Sequence, residues 1–160
     1  MFLIDGYNLL FAGRGKRIDH RDFERERDRL LGLLVRYCSL DARKALVIFD
    51  HTKGAPIFGV PLREIRGDVE IRFAPKGVSA DDEIVRLVQE ARDRTAYTVV
   101  TTDLAIRKEV EKRHMRVVPS EEFWDDVAKM LRGIEEKGMP EDLSKGEVEG
   151  WMREFGLEEE

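Results

Sequence analysis

Cysteine is almost absent from this sequence of 160 residues. Cys38 is the only one, so no disulfide can form within the chain, and the reducing cytoplasm is the expected compartment. No apolar run is long enough to span a bilayer, and Asp5 interrupts the apolar start of the chain before a signal peptide could form. We therefore expect a soluble cytoplasmic protein with no membrane partner.

Basic residues are scarce at the carboxyl end of the chain. Residues 133–160 contain ten acidic and three basic residues, a net charge of −7 within a total of −5, so residues 1–132 carry +2. The basic residues of that larger part cluster around two loops, the first with Arg14, Lys16 and Arg17 and the second with Arg63, Arg66, Arg72 and Lys76. These clusters are suited to contacts with phosphates. A solvated surface in a charge-rich protein is the alternative, and charge alone favours it.

Short apolar runs alternate with helical patterns over residues 1–131. Strands are predicted at residues 1–5, 45–50, 69–73 and 97–101, with 116–118 as a possible fifth. Helices are predicted at 21–39, 80–94, 104–113 and 121–131, the last beginning after a Ser120 cap. This alternation predicts an α/β fold, in which helices cover both faces of a central, mostly parallel sheet of four or five strands.

The chain after residue 131 differs in composition. The stretch RGIEEKGMPEDLSKG combines glycine, proline and charge, which predicts a linker or a loosely packed extension. Ser144 and Glu147 form a capping-box pattern, and a short apolar face follows, with Val148, Trp151, Met152 and Phe155. We predict a domain at 1–131 and, at 132–160, an acidic linker with a short amphipathic helix. The apolar face either packs on the domain or docks on a partner.

Acidic side chains lie at one edge of the predicted sheet, beyond the carboxyl ends of its strands. They are Asp5, Asp50, Asp81, Asp82 and Asp103. Each alone has a structural explanation as a turn residue or helix cap. Together they would repel one another without a cation, and oxygen ligands without cysteine or paired histidines favour Mg²⁺ or Mn²⁺. Helical phase directs Asp81 toward the sheet and Asp82 toward the flank. Gly6 is expected to let the chain turn sharply after Asp5.

Four segments carry a resemblance to a known family. They are LIDGYNLL at 3–10, VIFD at 47–50, APKGVSADDEIVRLV at 74–88 and VVTTD at 99–103. Their order and spacing resemble the YacP-like branch of the NYN ribonucleases, within the PIN-like nuclease superfamily, over about residues 1–131. The resemblance implies a PIN-like three-layer α/β/α sandwich and metal-dependent cleavage of RNA.

The resemblance also implies roles for particular residues. Asp5, Asp81 and Asp103 would be the principal acids of an Mg²⁺ or Mn²⁺ site, with Asp50 as a further ligand. Asp82 would support catalysis, and the amide of Asn8 would hold a ligand carboxylate or the attacked phosphate. The candidate RNA-binding residues are Arg14, Lys16, Arg17 and Lys76.

The leading interpretation is thus a metal-dependent endoribonuclease of RNA processing or mRNA decay. RNA is its expected substrate, and the ribosome or another RNA-processing protein is a candidate partner; no oligomeric state is predicted. The main alternative is a PIN-like RNA-binding or scaffold protein without significant catalysis, which converging acids near phosphates disfavour. A phosphohydrolase with Asp5 as covalent nucleophile is weaker, because Tyr7 stands where haloacid-dehalogenase-like enzymes have a second aspartate. An interaction protein built around the tail helix is a further alternative.

Overall fold

One mixed sheet forms the centre of the protein. The computed structural model describes residues 1–13, 20–51 and 63–158. Within them the strands are β1 (Phe2–Asp5), β2 (Ala45–Phe49), β3 (Arg63–Arg66), β4 (Val69–Phe73), β5 (Thr98–Val100) and β6 (Arg116–Val118). Their order across the sheet is β3-β4-β2-β1-β5-β6, and every neighbouring pair is parallel except β3 with β4.

Helices surround this sheet. They are α1 (Gly6–Gly13), α2 (Phe23–Leu40), α3 (Ala80–Glu90), α4 (Leu104–Lys112), α5 (Ser120–Lys137) and α6 (Lys145–Glu154), with a short 3₁₀ turn at His20–Asp22. No helix in the described ranges is long and apolar enough to cross a membrane.

The two central strands are buried along their whole length. Every residue of β1 and β2 is buried, because parallel strands covered on both faces need apolar side chains on both. Successive residues point to opposite faces. Ile4 joins a core cluster with residues of α1, α2, α5 and α6, whereas Leu3 joins a second cluster with residues of α3 and α4. The predicted layering of helix, sheet and helix is therefore confirmed.

Three elements differ from the sequence-based prediction. The edge strand β3 was not predicted, and it adds an antiparallel sixth strand. Helix α1 was not predicted either, and it begins at Gly6 directly after β1. The prediction that Gly6 forms a sharp turn is therefore wrong, because Gly6 is the first residue of a helix. A Cβ at Gly6 would lie 2.4 Å from Cε1 of Phe49, so the glycine is required by close packing. Pro119, and not Ser120, is the N-cap residue of α5.

The carboxyl-terminal segment packs against the rest of the chain. Helix α5 continues through residue 131 to Lys137. The capping box of Ser144 and Glu147 is confirmed at the start of α6. The ring of Phe155 stacks on Trp124 of α5 at 4.8 Å between centroids, and Val148, Met152 and Leu157 belong to the same core cluster. Ion pairs also join this segment to α2, from Arg29 to Glu154 and from Arg36 to Asp142.

Candidate active site at the carboxyl edge of the sheet

Asp5 is the most buried acid at this edge. It is the last residue of β1, and only 7% of its surface is exposed. Its Oδ2 accepts a hydrogen bond from the hydroxyl of Thr101 at 3.3 Å, and its carboxylate also accepts from the backbone N–H of Asn8. Burial, followed by the negative charge of Asp81, raises the pKa of Asp5 to about 7. Asp50 raises it further, whereas the two hydrogen bonds lower it. A positive charge beside Asp5 would therefore favour the ionised form of its carboxyl group.

Asp50 fixes the start of α3 beside Asp5. Its Oδ1 accepts from the backbone N–H of Ala80 at 2.7 Å, while the hydroxyl of Ser79 caps the same helix through Asp82 N–H at 3.0 Å. Anionic oxygens are stabilised at helix N-termini by unpaired N–H groups and the helix dipole. This anchoring places Asp81 near Asp5, although Asp81 and Asp82 are themselves exposed.

Asp103 is joined to Asp5 through one hydroxyl group. Its backbone N–H donates to Oγ1 of Thr101 at 3.1 Å, and the same Oγ1 donates to Asp5. Oδ1 of Asp103 caps α4 by accepting from the N–H of Ile106 at 3.0 Å. Thr101 is fully buried, so the ends of β1 and β5 are held together by a side chain that has both its hydrogen-bonding functions engaged.

A second network surrounds Asn8. Oδ1 of Asn8 accepts from the N–H of Thr102 at 3.0 Å and from the hydroxyl of Ser120 at 2.6 Å. The hydroxyl of Thr102 in turn donates to Glu121 at 3.0 Å and accepts from the N–H of Ser120 at 3.3 Å. The network joins α1, the end of β5 and the start of α5, and it brings the exposed carboxylate of Glu121 to the same edge.

The YacP-like NYN domain model matches residues 2–154. The chain belongs to the YacP-like NYN domain family. This is a nuclease-type domain. The match extends past the 1–131 suggested by the four motifs and includes α6.

Solved structures agree with this membership. The crystal structure of Rae1 (YacP) from Bacillus subtilis superposes with a TM-score of 0.69 at 24% identity, covering 96% of this chain and 82% of that one. A mutant form of the same Bacillus subtilis protein gives a TM-score of 0.67 at 26% identity, covering 85% of this chain and 79% of that one. No curated protein matches this chain. The predicted family and fold class are therefore confirmed.

The carboxyl edge of the sheet has donors suited to a hard cation. The predicted acids and Asn8 offer only oxygen ligands, the preference of Mg²⁺ and Mn²⁺, and the raised pKa of Asp5 shows that negative charge there is poorly compensated. Among the described residues, no three His, Cys, Asp or Glu side chains are arranged as a metal-holding group. Asp50 and Asp103 each direct one oxygen to a helix N-terminus. Mg²⁺ commonly uses only one or two carboxylates together with waters and substrate phosphates, so the residues fit such an ion.

The predicted RNA-binding residues are placed differently. Lys76 is exposed in the loop between β4 and α3, whereas Arg14, Lys16 and Arg17 lie outside the described residues. The arginines of β3 and β4 form ion pairs: Arg63 and Arg72 with Glu70, and Arg66 with Glu64 and Asp28. These pairs match the alternative of a solvated, charge-rich surface.

The sequence predicted only a capping role for Ser120, and Glu121 was not among the candidate site residues. Both follow β6, so the rule that functional residues lie beyond the carboxyl ends of parallel strands applied to them as it did to Asp103. Their helix position concealed it, since serine and glutamate at a helix start are common for purely local reasons. Tyr7 of α1 lies beside Asn8 in the chain but is buried, and its ring lies 4.9 Å from that of Phe49.

Proposed function

We propose that this protein is a metal-dependent endoribonuclease that hydrolyses phosphodiester bonds of RNA with Mg²⁺ or Mn²⁺ at the carboxyl edge of the sheet. The observation that carries the proposal is the environment of Asp5, a buried carboxyl whose pKa is raised by burial and by Asp81. A site that only bound RNA would gain nothing from acids converging near phosphates. A cation removes the repulsion and attracts the phosphate.

Each candidate residue has a proposed role that follows from its position at this edge. Asp5 and Asp81 would hold the ion, with Asp50 and Asp103 assisting through the carboxylate oxygen that does not face a helix N-terminus. When bound, the ion supplies charge neutralisation of the scissile phosphate and a lowered pKa for the attacking water. Thr101 keeps Asp5 in place, the backbone N–H of Asn8 donates to the same carboxylate, and the side-chain amide of Asn8 would hold a ligand carboxylate or the attacked phosphate. Lys76 and, from outside the described residues, Arg14, Lys16 and Arg17 would contact the RNA backbone. Asp82 would support catalysis from the surface of α3.

RNA processing or mRNA decay in the cytoplasm is the proposed setting. The ribosome or another RNA-processing protein is the proposed partner that would present the substrate. The family membership supports this proposal through its nuclease-type domain.

Cleavage of end-labelled single-stranded RNA tests the function. Purified protein is incubated with RNA in Mg²⁺, in Mn²⁺ and in EDTA, and also with RNA bound to ribosomes. We compare wild type with Asp5→Asn and Asp81→Asn, and use Asp125→Asn as the control, because Asp125 is an exposed acid of α5. We expect internal cleavage that needs metal, continues in the control and is lost in both test variants.

Three results would contradict the proposal. They are cleavage that persists in EDTA, cleavage that survives both Asp5→Asn and Asp81→Asn, and intact RNA in every condition, ribosome-bound RNA included. RNA binding with no cleavage in any condition would instead support the RNA-binding or scaffold alternative.

A further inference from the structure

The amide group of Asn8 has a defined orientation. A backbone N–H can only donate, so the Asn8 atom that lies 3.0 Å from the N–H of Thr102 must be the amide oxygen. The hydroxyl of Ser120 reaches the same oxygen at 2.6 Å. Two donors on one oxygen prevent the amide from turning over, because the reversed amide would direct its own hydrogens at the Thr102 N–H.

Ser120 is built into this position. It is fully buried as the first residue of α5, and Pro119 takes the place of the N-cap residue. Its backbone N–H donates to Oγ1 of Thr102 just after β5, and its hydroxyl donates to Asn8. The hydroxyl therefore makes a contact between residues 112 positions apart instead of closing its own helix.

The amino group of Asn8, Nδ2, is the other end of the same planar amide. Asn8 is half-buried, and no acceptor for its Nδ2 occurs in the part of the chain that the structure describes. Among the described residues, Nδ2 is not one of the buried atoms that lack a partner. The backbone N–H of the same residue donates to Asp5. An N–H₂ group without an acceptor, on a residue whose backbone contacts this carboxylate, is suited to an anionic oxygen, because hydrogen bonds to charged oxygen are the stronger kind.

We propose that Ser120 is a positioning residue that holds the amide oxygen of Asn8, so that the Asn8 amino group is presented to a phosphate oxygen of the RNA. This inference rests on the proposed ribonuclease function. It assigns Ser120 an effect on turnover that works through Asn8. A serine that merely filled space at the start of α5 would affect stability instead.

Steady-state cleavage kinetics separate the two roles. We compare wild type, Ser120→Ala, Asn8→Ala and the double variant in Mg²⁺, with a melting curve for each. We expect Ser120→Ala to lower kcat about tenfold with KM little changed, because a displaced donor is lost mainly in the transition state. In the Asn8→Ala background, Ser120→Ala should cause no further loss. Ser120→Thr, which keeps a hydroxyl, should recover most of the turnover.

Ser144→Ala is the matched control. Ser144 caps α6 through the N–H of Glu147, so its loss should lower the melting temperature and leave kcat unchanged. The inference is overturned if Ser120→Ala behaves like Ser144→Ala. It is also overturned if the losses from Ser120→Ala and Asn8→Ala multiply in the double variant.

Nuclear magnetic resonance tests the orientation of the Asn8 amide without depending on RNA cleavage. The side-chain ¹H–¹⁵N signals of Asn8 are assigned by their absence in Asn8→Ala and are followed while a single-stranded RNA hexamer is added in EDTA. We expect the wild-type signals to shift with RNA, and Ser120→Ala to change the free signals and remove that shift. Asn8 signals that are the same in wild type and Ser120→Ala would refute the positioning role, whether or not the enzyme cleaves. Absence of cleavage by wild type would refute the ribonuclease function and with it the effect of Ser120 on turnover, whereas the Asn8 signals would still decide whether Ser120 orients the amide.

Discussion

The hydroxyl of Thr101 donates to the carboxylate of Asp5 across 3.3 Å, and this contact joins the end of β5 to the end of β1. The same hydroxyl accepts from the N–H of Asp103, so two of the candidate metal ligands share one buried threonine. Hydrogen bonding alone does not offset the burial of Asp5, since its pKa remains about 7. The edge is thus arranged around a charge that the folded chain stabilises poorly by itself.

The metal-free protein should lose stability as pH rises. The pKa of Asp5 lies near 4 in the unfolded chain and about 7 in the folded one, so the folded state binds this proton more tightly. The stabilisation is complete below about pH 4 and is lost as pH rises to about 7, with an upper limit of about 4 kcal/mol. Denaturant unfolding in EDTA at pH 5 and pH 8 should show this fall in wild type and a smaller one in Asp5→Asn.

Two comparisons make the pH experiment specific. Asp125→Asn removes an exposed acid and should keep the wild-type fall, because Asp5 is still present. Mg²⁺ or Mn²⁺ at pH 8 should raise the unfolding free energy of wild type more than that of Asp5→Asn, because a ligand that binds the folded state stabilises it. Equal pH dependence of the unfolding free energy in wild type and Asp5→Asn would show that this dependence does not arise from the burial of Asp5.

Gly6→Ala should be destabilising. The added Cβ would lie 2.4 Å from Cε1 of Phe49, which is fully buried and packs edge-on against Tyr7. We expect a loss of about 1–3 kcal/mol in unfolding free energy, and reduced RNA cleavage because Asp5 is the adjacent residue. Phe49→Leu in the same chain should recover part of the activity by making room.

Gly32 provides the opposite case for this prediction. It is a glycine inside α2, and the Cβ that an alanine would add there meets no atom within 4 Å, so Gly32→Ala should raise the unfolding free energy by about 0.5–1 kcal/mol. Both variants are measured by urea unfolding. If Gly6→Ala were as stable as Gly32→Ala, the close approach to Phe49 would not exist in solution.

The sequence predicted the sheet where local pattern and burial agree. Strands β1 and β2 are continuous apolar runs, so their identity followed from composition. Strand β3 reads REIR and is held by pairing with β4, and its single apolar residue, Ile65, is 63% exposed. Helix α1 is apolar along most of its length, so it gave no helical periodicity. Both misses concern elements that depend on their neighbours in space.

The residues of the candidate site were likewise predictable only where the local sequence pattern marked them. Asp5 ends β1, and Asp50 and Asp103 come shortly after β2 and β5, so the strand-end rule placed them at one edge. The role of Ser120 depends on Asn8, 112 positions away, and no local pattern contains that contact. The pKa of Asp5 likewise depends on burial and on Asp81, which only the folded chain brings near it.

Phe155→Ala should destabilise the whole domain. Phe155 is 1% exposed and stacks on Trp124, whose indole N–H donates to the carbonyl of Leu9 in α1 at 2.8 Å. Removing a buried aromatic ring costs about 3–5 kcal/mol, a large part of the stability of an ordinary domain. Glu149→Gln in α6, the helix that Phe155 caps, loses only an exposed pair with Lys145 and should change stability by less than about 0.5 kcal/mol. Equal melting temperatures for the two variants would mean that α6 is not docked in solution.

Asp103 has two roles that substitutions can separate. Its Oδ1 caps α4 at the N–H of Ile106, and its charge is proposed to assist a metal ion. Asp103→Asn keeps a good cap and removes the charge, so stability should stay within about 0.5 kcal/mol of wild type while RNA cleavage falls sharply. Asp103→Ala removes both and should cost about 1 kcal/mol in addition. Thermal unfolding and Mn²⁺ titration calorimetry on the same samples distinguish the roles. Asparagine keeps the helix cap but lacks the negative charge. Full cleavage by Asp103→Asn would therefore show that Asp103 acts only as a helix cap.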